Sequence, residues 1–312
     1  MPTVADIAPI CALLTHLTPG QPLRSVALTC IPLLTSGLHD PDWLTLTDAR
    51  DAAVVTEVDQ DGVVSALSVT NRADRPLLLL DGEELVGAKQ NRVLNTTVLV
   101  AARSQLTIPV SCVEQGRWQR RGERFAPGNA SLYASLRARK AARVSESLGR
   151  GRGHGGDQHE LWAALRTKAE ARDVTSPTAA MSDVYAHDRQ KIEKVRKTLA
   201  PLPGQTGALV YVSGRWLGLD VLACPAVFTR VWPRLCAGYA ADAVTGHEAE
   251  RLDLPPSEVL DRLFQAAATQ APAVGLGVEY RLAADSLTGA ALAVEDLTAH
   301  LMAFALPIGT EQ

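Results

Sequence analysis

At Pro127 the hydrophobic rhythm of this chain changes, and the change limits the architectures open to it. Upstream, from about residue 20 to 125, runs such as "AAVVTEV", "VVSALSVT", "PLLLL" and "QLTIPVSCV" are rich in Val, Thr, Ile and Leu and are separated by Gly, Asp, Asn or Pro. These are strand runs, because branched side chains pack well on a pleated surface and the intervening residues favour turns. An opening helix precedes them, and "DQDG" at 59–62 predicts a hairpin turn. Over 127–200 the period is helical: Leu161, Trp162, Leu165 and Ala169 recur at helix spacing, as do Met181, Val184, Tyr185, Ile192, Val195 and Leu199. The part from 206 to 308 mixes strand and helix. There "ALVYV", Ser213-Gly214 and "RWLGL" predict a hairpin, Ser257 predicts a helix cap, and the chain closes with a strand and then a strand or helix. Strands in a block followed by helices in a block predict an α+β fold and not a doubly wound parallel sheet. The 312 residues are read as one domain over 1–312.

Composition removes several classes of function. The formal charge of -3, from 34 acids and 31 bases, argues against nucleic acid or an anionic membrane as partner. No stretch reaches the roughly 20 apolar residues that span a bilayer. The N-terminus "MPTVADIAPICALLTHL" lacks the basic flank and cleavage site of a secretory signal, so a cytoplasmic location is expected. The five cysteines, Cys11, Cys30, Cys112, Cys224 and Cys236, are odd in number and scattered, which predicts reduced thiols and no disulfide. Neither G-x-x-x-x-G-K-[ST], G-x-S-x-G nor H-E-x-x-H occurs.

One polar stretch interrupts the strand region. In "LLLLDGEELVGAKQNRVLN", Asp81-Gly82 suits a turn with positive φ at the glycine, after which Glu83 and Glu84 begin an extended segment on opposite faces. One carboxylate then points inward and needs a partner, for which Lys89 and Arg92 are nearest in sequence. A functional reading sets Lys89 and Arg92 against phosphate or carboxylate groups, with Gln90 and Asn91 as amide contacts and Glu84 as acid, base or metal ligand. The plain alternative is a hairpin end with internal ion pairs. "IPVSCVEQGRW" then supplies Ser111, Cys112, Glu114, Arg117 and Trp118, and pairing of the two strands would join the two polar ends. Cys112 is a nucleophile only if cations stabilise its thiolate, and otherwise a buried, inert thiol.

Two further features carry paired readings. Within the glycine-rich loop 149–156, the segment from Arg150 to Gly156 is expected to be mobile without ligand, with Arg150 and Arg152 as phosphate contacts ahead of a helix. His154, Asp157, His159 and Glu160 form a weak metal set, but Asp157 followed by Glu160 also fits a helix cap. Asp220, an acid in apolar surroundings, is either a perturbed functional group or a hydrogen-bonded structural one.

"LLDGEELVGAKQNRVLN" followed by "IPVSCVEQGRW" resembles the domain family named for its association with ADP-ribosylglycohydrolases and rhodanese-phosphatases. "GDQHELW", "SPTAAMSDVY", "GQTGALVYVSGRWLGLDVL" and "LTAHLMAF" follow in the family's order, so the resemblance runs from about residue 20 onward. It implies metabolism of ADP-ribose or another NAD-derived nucleotide. By motif match it carries over Glu84, Lys89, Gln90, Asn91, Arg92, Cys112, Glu114, Arg117 and Trp118. The expectation is then a protein that binds a phosphate-bearing nucleotide, with hydrolysis or transfer left open. Arg92, Lys89 and Arg117 would hold the diphosphate, Trp118 would stack on a base or ribose, and Glu84 and Glu114 would serve acid-base chemistry or hold a divalent metal ion. Cys112 is the third candidate for chemistry. The alternatives are a nucleotide sensor without catalysis and a protein-interaction scaffold.

Overall fold

The computed structural model describes residues 1–36, 38, 40–59, 62–117 and 122–306. Helix α1 (Ala8–Thr15) leads into strands β1 (Thr18–Pro19), β2 (Leu23–Ser25) and β3 (Leu28–Leu34). After β4 (Leu44–Thr45) and α2 (Leu46–Ala49) come β5 (Ala53–Glu57), β6 (Ala66–Asn71), β7 (Leu77–Leu79), β8 (Glu83–Gly87), β9 (Arg92–Leu94), β10 (Val98–Val100), β11 (Ser104–Cys112) and β12 (Arg124–Ser131). The helices α3 (Ala134–Gly149), α4 (Gln158–Glu170), α5 (Met181–His187) and α6 (Arg189–Thr198) follow. The chain ends with β13 (Gln205–Val212), β14 (Arg215–Leu222), α7 (Pro225–Ala243), α8 (Pro256–Gln265), β15 (Ala267–Pro272), β16 (Val278–Ala284), β17 (Leu287–Val294) and β18 (Leu297–Ala305). This is the α+β mixture anticipated from the blocks of strand and helix.

Strands β11, β6, β5, β12, β8 and β9 close in that order into an antiparallel barrel, β9 returning to β11. Val55, Leu67, Val69, Leu85, Leu94, Ile108, Val110 and Phe125 form its apolar filling. Closure removes the exposed edges that short strands would otherwise present. Pairing with β8 keeps Pro127 in an extended strand, so the first helix of the middle section starts only at Ala134. The 59–62 turn falls on residues 60 and 61, which lie outside the described set, but β5 and β6 on either side pair antiparallel.

β1 to β3 leave the barrel entirely. β3 pairs with β13 and starts a nine-stranded sheet ordered β1-β3-β13-β14-β18-β17-β16-β15, with β2 also on β3. The predicted hairpin of β13 and β14 turns at Ser213 and Gly214, both with positive φ (49° and 78°), as a tight hairpin requires. The closing segment is a strand hairpin, β17 with β18. One face of the sheet packs Ile10, Leu13 and Leu14 of α1 and Val259 and Leu263 of α8 against Leu209, Leu219 and Leu301. The other packs Leu136 and Ala141 of α3 and Phe228, Trp232 and Tyr239 of α7 against Val210, Leu222 and Phe304. Each such buried side chain contributes about 2 kcal/mol over an exposed one. That burial sustains α7 despite Pro233 and Gly238, which oppose an isolated helix. Gly238 also sets barrel against sheet, since a Cβ there would lie 2.6 Å from Ser131 Oγ on β12. Ser257 does not cap α8: Pro255 is the residue before the helix, and no side-chain bond closes its end. No helix among the described residues is long and apolar enough to cross a membrane.

Candidate functional site

The two polar stretches singled out in the sequence meet at one end of the barrel. β9 lies between β8 and β11, with Leu85 opposite Arg92 and Arg92 opposite Cys112 in one row, and Glu84, Val93 and Ser111 in the next. Because neighbouring rows face opposite ways, Arg92 and Cys112 turn one way while Glu84 and Ser111 turn the other. The turn that starts β8 demands glycine: Gly82 has φ 75°, and a Cβ there would stand 2.9 Å from Arg137 Cδ.

Most of the polar atoms at this end engage one another. Arg117 donates Nε to Glu114 Oε1 (2.9 Å) and Nη2 to Glu114 Oε2 (2.7 Å), a bidentate fork, and Nη1 to the carbonyl of Ala88 (2.7 Å). The Asn91 amide and the Thr178 hydroxyl complete the shell around Glu114, at 3.1 Å each. Gln90 donates to the carbonyl of Glu114 (2.9 Å), and its Oε1 accepts from Arg92 Nη1 (3.1 Å) and Cys112 Sγ (3.3 Å). Against the upward push of burial, Arg117 and the Asn91 amide hold the Glu114 carboxyl below its ordinary range. Lys89 lies half-buried, its amide facing Glu57 Oε1 at 3.4 Å. Gln90, Asn91, Arg92, Cys112, Glu114 and Arg117 are each at most 6% exposed. Trp118 lies outside the described residues.

Both carboxylates of the Glu83-Glu84 pair are buried, against the expectation that one would point out. Glu83 accepts from the Leu80 amide (3.2 Å) and faces Arg234 of α7 (3.1 Å), a cation from far downstream and neither of the two nearest in sequence. Glu84 packs against Gly128, and its Oε1 has no hydrogen-bond partner among the described residues. Burial, with Glu114 adding repulsion, pushes its pKa up to about 8. Glu84 therefore holds its proton at neutral pH. Burial likewise pushes the Cys112 thiol up, with the Glu114 amide and Arg92 opposing, which favours the inert reading of that residue. The backbone of Cys112 is clamped by Gln158 of α4, which accepts from its N–H (2.7 Å) and donates to its C=O (2.8 Å).

A second set of charges, which the sequence did not point to as a group, lies where barrel, large sheet and α3 converge. Arg137 donates to both oxygens of Asp220 (2.9 and 2.8 Å) and to Asp81 (3.1 Å). Tyr239 and His300 also reach Asp220, at 2.7 and 2.9 Å. Burial alone would raise the Asp220 pKa, but Arg137 and His300 hold it far below the usual carboxylate range, so the structural reading of Asp220 is the one the geometry favours. Lys140 donates to Asp81 and to the carbonyl of Leu94. Burial lowers its pKa to about 8, with Arg137 and Arg281 acting in the same direction against Asp81. Arg137 and Lys140 occupy the same face of α3 as buried Ala134, Ala138, Ala141 and Val144. Charges on an apolar helical stripe were the available signal for them.

Above this network α3, α4 and the glycine-rich loop border an open, shallow cleft of about 390 Å3, lined by Arg143, Glu146, Arg150, Arg152, Gly156 and Asp157 among others. Arg143, Gly156 and Asp157 also line a narrow shaft of about 20 Å3 that extends to Lys140 and Ser111. Arg143 pairs with Glu160 (2.6 Å) and Arg150 with Glu146 (2.6 Å), both exposed pairs of the weak kind, while Arg152 forms no ion pair among the described residues. The loop itself is tied down at its centre, where the His154 carbonyl accepts from Asn95 (3.0 Å) and its ring meets Glu279 (2.7 Å). Gly149, Gly151 and Gly153 face open space. The proposed metal set disperses: Asp157 caps α4 through the Glu160 amide (2.9 Å), Glu160 turns to Arg143, and no group of three or more His, Cys, Asp or Glu residues suited to a metal occurs among the described residues. All five cysteines are free.

No curated protein and no solved structure gives a significant match to this sequence. Residues 16–304, nearly the whole chain and including both polar stretches, the cleft and the buried charge network, match one family, and the protein belongs to it: the ARG and Rhodanese-Phosphatase-superfamily-associated Protein domain, ARPP-1.

Proposed function

We propose that this protein binds a phosphate-bearing, nucleotide-derived small molecule in the cleft between α3, α4 and the glycine-rich loop. The observation that carries the reading is the cleft itself: about 390 Å3 is within the range of small-molecule sites, and three arginines line it. Arginine forks match phosphate oxygens, and the exposed pairs of Arg143 and Arg150 with glutamates cost little to exchange for a phosphate. Reading ARG in the family's description as ADP-ribosylglycohydrolase supports the ADP-ribose class in particular, by association and not by chemistry.

The barrel end then has a supporting part. With their polar atoms engaged by each other, Gln90, Asn91, Glu114 and Arg117 fix β9 and β11, and β11 carries Ser111 to the wall of the narrow shaft beside the cleft. Glu84 holds its proton at neutral pH but lines neither the cleft nor the shaft, so it belongs to this supporting part. Thermal shift with ADP-ribose, NAD, AMP and pyrophosphate tests the reading. A binder at 100 times its dissociation constant adds about 2.7 kcal/mol to stability. Stabilisation by the nucleotides that is lost in Arg150→Ala/Arg152→Ala supports the cleft. No shift with any of the four compounds contradicts it.

A further inference from the structure

Lys140 lines the narrow shaft, which shares Arg143, Gly156 and Asp157 with the arginine cleft, and is 5% exposed. Two of its three N–H bonds go to Asp81 and to the Leu94 carbonyl. The shaft meets the side chain beside Ser111, whose hydroxyl donates to Asn95 (2.7 Å), and beside Gly156, where a Cβ would crowd Ser111 Oγ at 3.0 Å. A space of about 20 Å3 takes a group the size of one water and excludes a phosphate. Lys89, Lys168, Lys191, Lys194 and Lys197 are all partly or fully exposed.

We propose that the ligand of the cleft is a phosphate-bearing sugar with a free aldehyde carbon, as in the open-chain form of a ribose unsubstituted at its anomeric position, and that Lys140 captures this carbon as an imine. The inference rests on the cleft reading and deepens it. The phosphates stay with Arg143, Arg150 and Arg152, while the slim, uncharged aldehyde end is the part that fits the shaft. The lone pair of neutral Nζ attacks the carbonyl carbon, and the carbonyl π pair moves to oxygen, which takes a proton. That oxygen departs as water while the C=N bond forms. Overall, an aldehyde and a lysine ammonium give a protonated imine and water. The positive charge is conserved, so Asp81 still faces a cation and the buried network remains neutralised. Burial assists the first step: an amine with a pKa of about 8 is neutral about two hundredfold more often at pH 7 than an ordinary lysine.

The test uses the full chain with ADP-ribose and sodium cyanoborohydride, followed by peptide mapping. The expected result is reductive labelling at Lys140 at least ~10-fold above that at any of the five other lysines, in line with its larger neutral fraction. NAD, which has no free aldehyde, should give no adduct and should protect Lys140. Lys140→Gln should abolish the adduct. Because that variant leaves Asp81 with one partner fewer and can unfold, Arg150→Ala/Arg152→Ala serves as the second variant and should lower labelling of Lys140 several-fold while the protein stays folded. Stabilisation by ADP-ribose with labels spread over exposed lysines and none at Lys140 overturns the imine and leaves the cleft reading standing. Labelling of Lys140 that is equal in the double variant also overturns the proposal. Neither stabilisation nor adduct overturns both.

Discussion

Replacing Glu84 by glutamine should make this protein more stable at neutral pH and no more stable than the parent in acid. The carboxyl is 4% exposed, Oε1 has no partner among the described residues, and its pKa rises from 4.5 to about 8 on folding. A pKa raised on folding means that the folded state binds the proton more tightly than the unfolded one. The stability associated with this group is therefore complete below pH 4.5 and is lost as pH rises through about 8. Across that window the loss approaches ~1.4 kcal/mol per pH unit, and by pH 7 it amounts to at most ~3 kcal/mol. Glutamine has the volume of the protonated acid and does not titrate, but it brings a second N–H that must find an acceptor, so a net gain of about 1–3 kcal/mol at pH 7 is expected. Urea denaturation of both proteins at about pH 4, 5.5 and 7 measures it, and the difference between them cancels the histidines that titrate in the same range. Parallel stability curves, or a variant less stable at pH 7 than the parent, would refute the reasoning, because Glu84 would then be a charged, well-partnered carboxylate.

Other expectations follow from the same geometry. Arg137→Met removes the fork that holds Asp81 and Asp220, both fully buried, and should cost roughly 3–5 kcal/mol by urea denaturation, if the protein folds at all. Gly82→Ala meets both a positive φ and the Arg137 side chain, and a loss of about 1–3 kcal/mol is expected in the same assay. A thiol reagent should find Cys11 first in the native protein, since the other four cysteines are buried, and all five once the chain is unfolded without reductant. His154→Ala frees the centre of the glycine-rich loop from Glu279 and should speed proteolytic cleavage within 149–156; an unchanged cleavage rate would mean that Asn95 alone secures the loop.

What could be read from the sequence was local. The Asp81-Gly82 and Ser213-Gly214 turns, the Asp157 cap and the hairpin of β13 and β14 depend on residues adjacent in the chain, and propensity decides them. The meeting of "GAKQNRV" with "IPVSCVEQGRW" was also legible, because each polar stretch ends a strand and two such strands pair with few residues between them. Ring closure was not, since it depends on β11 choosing both β6 and β9, and neither was the transfer of β3 to β13, some 180 residues downstream. The ambiguity of "LTAHLMAFA" has a plain cause. β18 lies between β14 and β17 and is buried on both faces, so its apolar run lacks the alternation that marks a half-exposed strand. The buried charges were hidden for a related reason: Arg137 finds Asp81 across 56 residues and Asp220 across 83.

The central claim is that the ligand site is the arginine cleft and not the barrel end, and calorimetric titration of ADP-ribose at low salt decides between them. The cleft account predicts that Arg150→Ala/Arg152→Ala weakens binding by at least ~10-fold, about 1.4 kcal/mol for two charge-assisted contacts, and that Lys89→Ala, at the barrel end, leaves it within twofold of the parent. The reverse pattern, with affinity lost in Lys89→Ala and kept in the double variant, would contradict the account and return the site to the polar stretch at 81–95.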